Sequence, residues 1–65
     1  MKLKEKRKDM KMSQTEVANA IGITQSAYSN YEIGKRSPKP MMLKNIAEVL
    51  NCTVDELLSE EPEER

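Results

Sequence analysis

Three helix starts are written into 65 residues, and they divide the chain into short helices before any other feature is weighed. In "MSQTEV", the Ser13 hydroxyl can accept from a free N–H of the first helical turn while Glu16, three residues on, reaches back to the Ser13 backbone. This is the reciprocal pair of a capping box, with Met12 and Val17 placed as its hydrophobic staple, and it predicts a helix from Gln14. In "ITQSAY", Thr24 is the cap and Ile23 with Tyr28 the staple, so a second helix starts at Gln25. In "CTVDEL", Thr53 and Glu56 form another box, stapled by Cys52 and Leu57, ahead of a short last helix.

The stops lie between these starts. Gly22 supplies the left-handed residue that ends the helix begun at Gln14, leaving only Gly22, Ile23 and Thr24 between two helices. A turn that short forces a steep crossing, the geometry of a helix-turn-helix. Across "SPKP", Lys39 before a proline is biased away from helical backbone, whereas Pro40 suits a first helical turn, so a further helix is predicted from there to Leu50. Leu43, Ile46, Ala47 and Leu50 recur at the three-to-four spacing of one buried stripe, as do Val17, Ala18 and Ile21 earlier. No stretch alternates with period two for long enough to suggest a strand. The expected fold is all-α, a compact bundle of about five helices.

A bundle of this size has a thin core and commonly depends on a disulfide, a metal, pairing of copies or tight helix packing. Cys52 is the only cysteine and histidine is absent, so an internal disulfide and the usual zinc ligand sets are excluded, and no metal or cofactor is expected. The same absences, with no Gly-rich phosphate loop and no nucleophile beside a base, argue against an enzyme; Cys52 reads as a small apolar packing residue. No small-molecule site is evident. No run approaches the roughly 18 apolar residues of a membrane span, and no hydrophobic segment follows the basic N-terminus, so the expected location is cytoplasmic, without membrane contact. The net charge of zero conceals an asymmetry: residues 1–44 hold ten Lys or Arg against four acids, a net +6, and residues 45–65 hold one Arg against seven acids, a net −6. A basic half suits a polyanion, with the acidic end facing away from it.

The segment "SQTEVANAIGITQSAYSNYEIGKRSPKP" resembles the helix-turn-helix of the phage repressor, Cro and Xre-type regulators. The resemblance extends over nearly the whole chain: a first helix carrying Arg7, the "SQ" start, small Ala18 where two helices cross, Gly22 at the turn, the "YE-x-G-K-R-x-P" exit and the "VDELL" ending. It implies a five-helix, lambda-repressor-like DNA-binding domain over residues 1–58. The third helix, about residues 25–32, would lie in the DNA major groove. The acidic remainder, residues 59–65, holds five charges around one proline and nothing to bury, which predicts disorder.

Base edges in the major groove present distinct donor and acceptor patterns, and Gln, Asn and Ser carry both kinds of group. On a helix from Gln25, residues Gln25, Ser26, Ser29 and Asn30 share one broad face while Ala27, Tyr28 and Tyr31 turn inward. The resemblance implies base contacts from Gln25, Ser26 and Asn30, with Ser29 the weakest candidate. It implies phosphate contacts from Gln14 at its helix start and from Lys35 and Arg36 at the exit of the reading helix; Thr24 could cap, touch phosphate, or both. It also implies a partly buried ion pair between Arg7 and Glu32, and core positions for Tyr28 and Tyr31.

Some residues depart from the family pattern. Lys6 occupies a commonly apolar site, and Lys11 stands where Gly or Asn would end the first helix more easily, so backbone strain is expected there. Met41 and Met42 replace polar residues at a helix start; one is expected in the core and the other at an interface. The implied partner is double-stranded DNA carrying an inverted repeat, read by a homodimer. Val54, Leu57 and Leu58 are the first candidates for the dimer surface and Met41 or Met42 the second, unless Leu57 and Leu58 both close the monomer core. Competing roles for the same fold are an antitoxin or protein-interaction module, or a restriction-modification controller.

Overall fold

The computed structural model describes residues 1–59. Five helices follow one another: α1 (Leu3–Asp9), α2 (Gln14–Ile21), α3 (Gln25–Ile33), α4 (Pro40–Val49) and α5 (Val54–Leu58), with no strand among the described residues. Of the acidic tail expected to be disordered, residues 60–65 lie outside the described residues.

The three caps form as their residues dictate. Ser13 Oγ accepts from the Glu16 N–H at 3.0 Å, and Glu16 Oε1 accepts from the Ser13 N–H at 2.8 Å. Thr24 Oγ1 accepts from the Ala27 N–H at 3.1 Å. Thr53 and Glu56 repeat the reciprocal pair at 3.0 and 2.9 Å. Each such cap is worth about 1 kcal/mol, which matters for a helix of five residues. Lys39 is extended (φ −71°, ψ 162°), and Pro40 opens α4, where its missing N–H leaves no bond unmade.

The helix ends divide into two kinds. Gly22 (φ 77°) and Gly34 (φ 83°) close α2 and α3 in left-handed backbone, and a Cβ at either would meet nothing within 4 Å. The dihedral, not the space, selects glycine there. Lys11 (φ 57°) and Asn51 (φ 56°) take the same conformation after α1 and α4. Asparagine tolerates it; lysine carries the full steric cost of its Cβ, as the sequence predicts.

The core draws on all five helices: Leu3 from α1, Val17 and Ala18 from α2, Tyr28 from α3, Leu43, Ile46 and Ala47 from α4, Leu50 at its end, and Leu57 from α5. Helix α2 packs on α3 and α4, α4 on α5, and α1 on α3. The Lys2 N–H donates to the Leu57 carbonyl at 2.8 Å and ties the start of the chain to α5. Leu57 is completely buried, so it closes the monomer core and is removed from the expected dimer surface; Leu58 remains 45% exposed. Met42 packs against the core while Met41 stays 70% exposed. Lys6 is half-buried, and its charge, after the Thr53 backbone N–H, helps hold the Glu56 carboxyl below the usual carboxylate range.

Candidate nucleic-acid interface

Helix α3 presents two unlike faces. Tyr28 is fully buried and Tyr31 half-buried against the core, whereas Gln25 and Ser26 are exposed and Ser29 and Asn30 half-buried. Anchoring falls to the tyrosines, and the short uncharged polar side chains occupy the remaining surface. The Asn30 carbonyl accepts from the Lys35 and Arg36 N–H groups at 2.9 and 3.3 Å, which folds the basic exit loop back onto the end of α3. Both basic side chains are exposed beyond it.

A chain of polar contacts fixes where α3 sits. Arg7 Nε donates to Glu32 Oε2 at 2.6 Å, with Nη2 3.4 Å from Oε1, and Arg7 Nη1 donates to the Met12 carbonyl at 2.8 Å. Glu32 Oε1 also accepts from Gln14 Nε2 at 2.9 Å, and Gln14 Oε1 accepts from Gln25 Nε2 at 2.5 Å. Helix α1 is thus joined to the end of α3, that end to the start of α2, and the start of α2 to the start of α3. The Arg7 and Glu32 side chains are 11% and 3% exposed, so the pair is largely shielded from water.

The electrostatics follow from this geometry. Burial pushes the Glu32 carboxyl up, but hydrogen bonds from Arg7 and Gln14, with the Tyr28 hydroxyl close by, outweigh it and hold the group below the usual carboxylate range. The hydrogen bond to Glu32 raises Arg7, which stays charged. Tyr28 Oη is fully buried and makes no bond of full hydrogen-bond geometry, though it lies close to Glu32 and Arg7. Burial and the Glu32 charge push its phenol well up, so it stays protonated.

The sequence-predicted residues therefore fall into groups. Arg7 and Glu32 are brought together, and Gln14 and Gln25 join them, a linkage that no spacing in the sequence announces. The Gln14 amide is engaged at both ends but keeps one Nε2 proton uncommitted, and the Glu16 N–H of the first turn of α2 is taken by the Ser13 cap. Thr24 accepts at its oxygen and keeps its hydroxyl proton to donate outward. Between α3 and the loop before α4 lies a cleft of about 310 Å³, lined by Ala27, Asn30, Tyr31, Arg36, Lys39 and Met42 among others. The sequence marks Lys39 only as the residue before Pro40; its place with Arg36 in the lining of this cleft is set by the fold of the exit loop. No helix of the described residues is long and apolar enough to cross a membrane.

A family model described as helix-turn-helix matches residues 3–57. YqaE of Bacillus subtilis (strain 168), an uncharacterized HTH-type transcriptional regulator, is 41% identical over 63 residues, which cover 97% of this chain and 54% of that protein. The cryptic phage CTXphi transcriptional repressor RstR of Vibrio cholerae is 34% identical over 59 residues, 91% of this chain and 53% of the repressor. The HTH-type transcriptional regulator AnsR of B. subtilis (strain 168) is 36% identical over 64 residues, 98% of this chain and 55% of its own. The chain spans about half the length of these curated relatives. Helix order, the three-residue turn between α2 and α3 and the matched model agree: the chain belongs to the helix-turn-helix family of Xre- and Cro-type regulators.

Proposed function

We propose that this domain is a sequence-specific double-stranded DNA-binding transcriptional regulator, acting as a repressor, that lays α3 in the major groove and reads an inverted repeat as a homodimer. The observation that carries this reading is the fixed Gln25 amide. One N–H is committed to Gln14, so the carbonyl and the second N–H are held in one orientation at the exposed start of α3. A glutamine so held suits the paired acceptor and donor of an adenine edge. Ser26 and Asn30 extend the reading face, and Ser29, half-buried and with the shortest reach, adds least.

Phosphates on either side would be met by the first-turn N–H groups of α2, the Thr24 hydroxyl, Lys35 and Arg36, which set register without reading sequence. The names of RstR as a repressor and of YqaE and AnsR as regulators support the reading. A dimer doubles a short recognition surface and matches half-sites about one helical turn, roughly 34 Å, apart. Met41 and Leu58 are the candidate side chains most open to a second copy, Val54 offers only an edge because it packs against the core as Met42 does, and Leu57 is fully buried.

Gel shifts on an inverted repeat enriched from random duplexes, over a salt series, test this. Two copies per repeat are expected, with affinity falling about 10³- to 10⁵-fold between 50 and 200 mM salt if about 6 to 10 phosphates are contacted. Binding of one copy with no gain over a half-site would remove the dimer. Absence of salt-dependent retention on any duplex would remove DNA and favour a protein-binding module.

A further inference from the structure

We infer that Lys11 is a DNA-phosphate contact, kept at a backbone position where glycine would be more stable; the inference rests on the DNA-binding reading above. Four residues after helices adopt left-handed backbone, and three of them, Gly22, Gly34 and Asn51, are residue types suited to it. The fourth is Lys11, at φ 57°. Its side chain is exposed and makes no hydrogen bond or ion pair among the described residues. The backbone bonds of this turn would form equally well with glycine, so no contact of the lysine side chain repays the conformation.

Solubility does not account for a charge at this position. The preceding Met10 is 40% exposed and sits in ordinary right-handed backbone (φ −87°, ψ 0°), so a lysine there would supply the same charge without strain. What distinguishes position 11 is where it is held. The Lys11 N–H donates to the Lys8 carbonyl at 2.9 Å and the Met12 N–H to the Arg7 carbonyl at 3.2 Å. The Met12 carbonyl in turn accepts from Arg7 Nη1 at 2.8 Å. Arg7 continues through Glu32 and Gln14 to Gln25. The turn carrying Lys11 is therefore clamped to the same polar chain that orients the reading helix. It stands two residues before the Ser13 cap of α2, whose first-turn N–H groups face phosphate in the proposed complex. A long, unpaired ammonium on that turn can reach a backbone phosphate next to the one met by α2.

Lys11→Gly and Lys11→Arg separate strain from charge. Each is compared with the parent by thermal melting and by binding to a short random-sequence duplex and to the enriched repeat, over a salt series. Lys11→Gly should melt higher than the parent yet bind both duplexes several-fold more weakly, by the same factor. Its slope of log affinity on log salt should be shallower by about 0.9 for each copy bound. Lys11→Arg should keep the parent's slope and its lower melting point. A glycine variant that melts higher but keeps the parent's slope overturns the phosphate contact. One that melts no higher overturns the claim that lysine is held against the backbone's preference. A parent protein that shows no salt-dependent binding fails one step earlier, at the DNA reading itself.

Discussion

The two ends of this bundle are held together by different forces. Where α4 meets α5, contact is apolar: Leu43, Ile46, Ala47, Leu50 and Leu57 are all buried, and no charged group lies among them. Where α1, α2 and α3 converge, a line of polar side chains runs from Arg7 through Glu32 and Gln14 to Gln25. Apolar packing is strong but tolerant of small shifts, since it depends on area and volume. A hydrogen-bonded chain contributes less net free energy but fixes distance and angle. The apolar end supplies stability; the polar corner supplies the placement of α3.

The largest effect is expected at the apolar end. Leu57→Ala leaves a cavity in a small core and should lower stability by about 2 to 5 kcal/mol at any pH where the protein folds. An unchanged melting temperature would show that α5 is not part of the cooperative unit.

Next comes the ion pair. Arg7→Met strands Glu32 and should cost about 3 kcal/mol, the low end for a buried pair because water reaches its edge. Replacing both partners, Arg7→Met with Glu32→Leu, should recover most of that loss, and a double-mutant cycle measures the coupling. If both losses simply add, the pair is not a unit.

The acid response separates the two ends further. The folded Glu32 carboxylate binds its proton less tightly than the unfolded one, so the pair's contribution is complete above the ordinary carboxylate range and disappears as pH falls below it. Glu32→Gln should therefore be less stable than the parent near neutrality and flatter in its acid response, while the limb due to the lowered Glu56 remains. Acid melts that coincide with the parent's would place the acid sensitivity elsewhere, whereas Leu57→Ala should shift the whole curve without changing its shape.

The sequence carried the helices because their signals are local. Ser13, Thr24 and Thr53 act on N–H groups within three residues, and Gly22 answers a dihedral of its own backbone. The strain at Lys11 was legible for the same reason. Burial was legible where periodicity was unambiguous, as along α4, but not at α5, where Leu57 and Leu58 are adjacent and only the packing of α4 and the N-terminus decides which one faces inward. The polar corner was partly legible. Arg7 and Glu32 came from a family resemblance, whereas Gln14 bonding Gln25 depends on how α2 and α3 cross and leaves no mark in either segment alone. That bond ties Gln14 to Gln25 while one proton of its amide nitrogen stays uncommitted, so the phosphate contact expected of Gln14 is compatible with it.

Selection of bound sequences from random duplexes, run in parallel on the parent, Gln25→Ala and Lys35→Ala, tests most directly whether α3 reads DNA from this fixed placement. The parent should enrich an inverted repeat. Gln25→Ala should lose about 1 to 3 kcal/mol on that repeat and relax the preference at one base pair of each half-site, whereas Lys35→Ala should weaken all sequences alike and leave the preferred repeat unchanged. An enriched sequence that is the same, and bound as tightly, with Gln25 replaced would contradict the account.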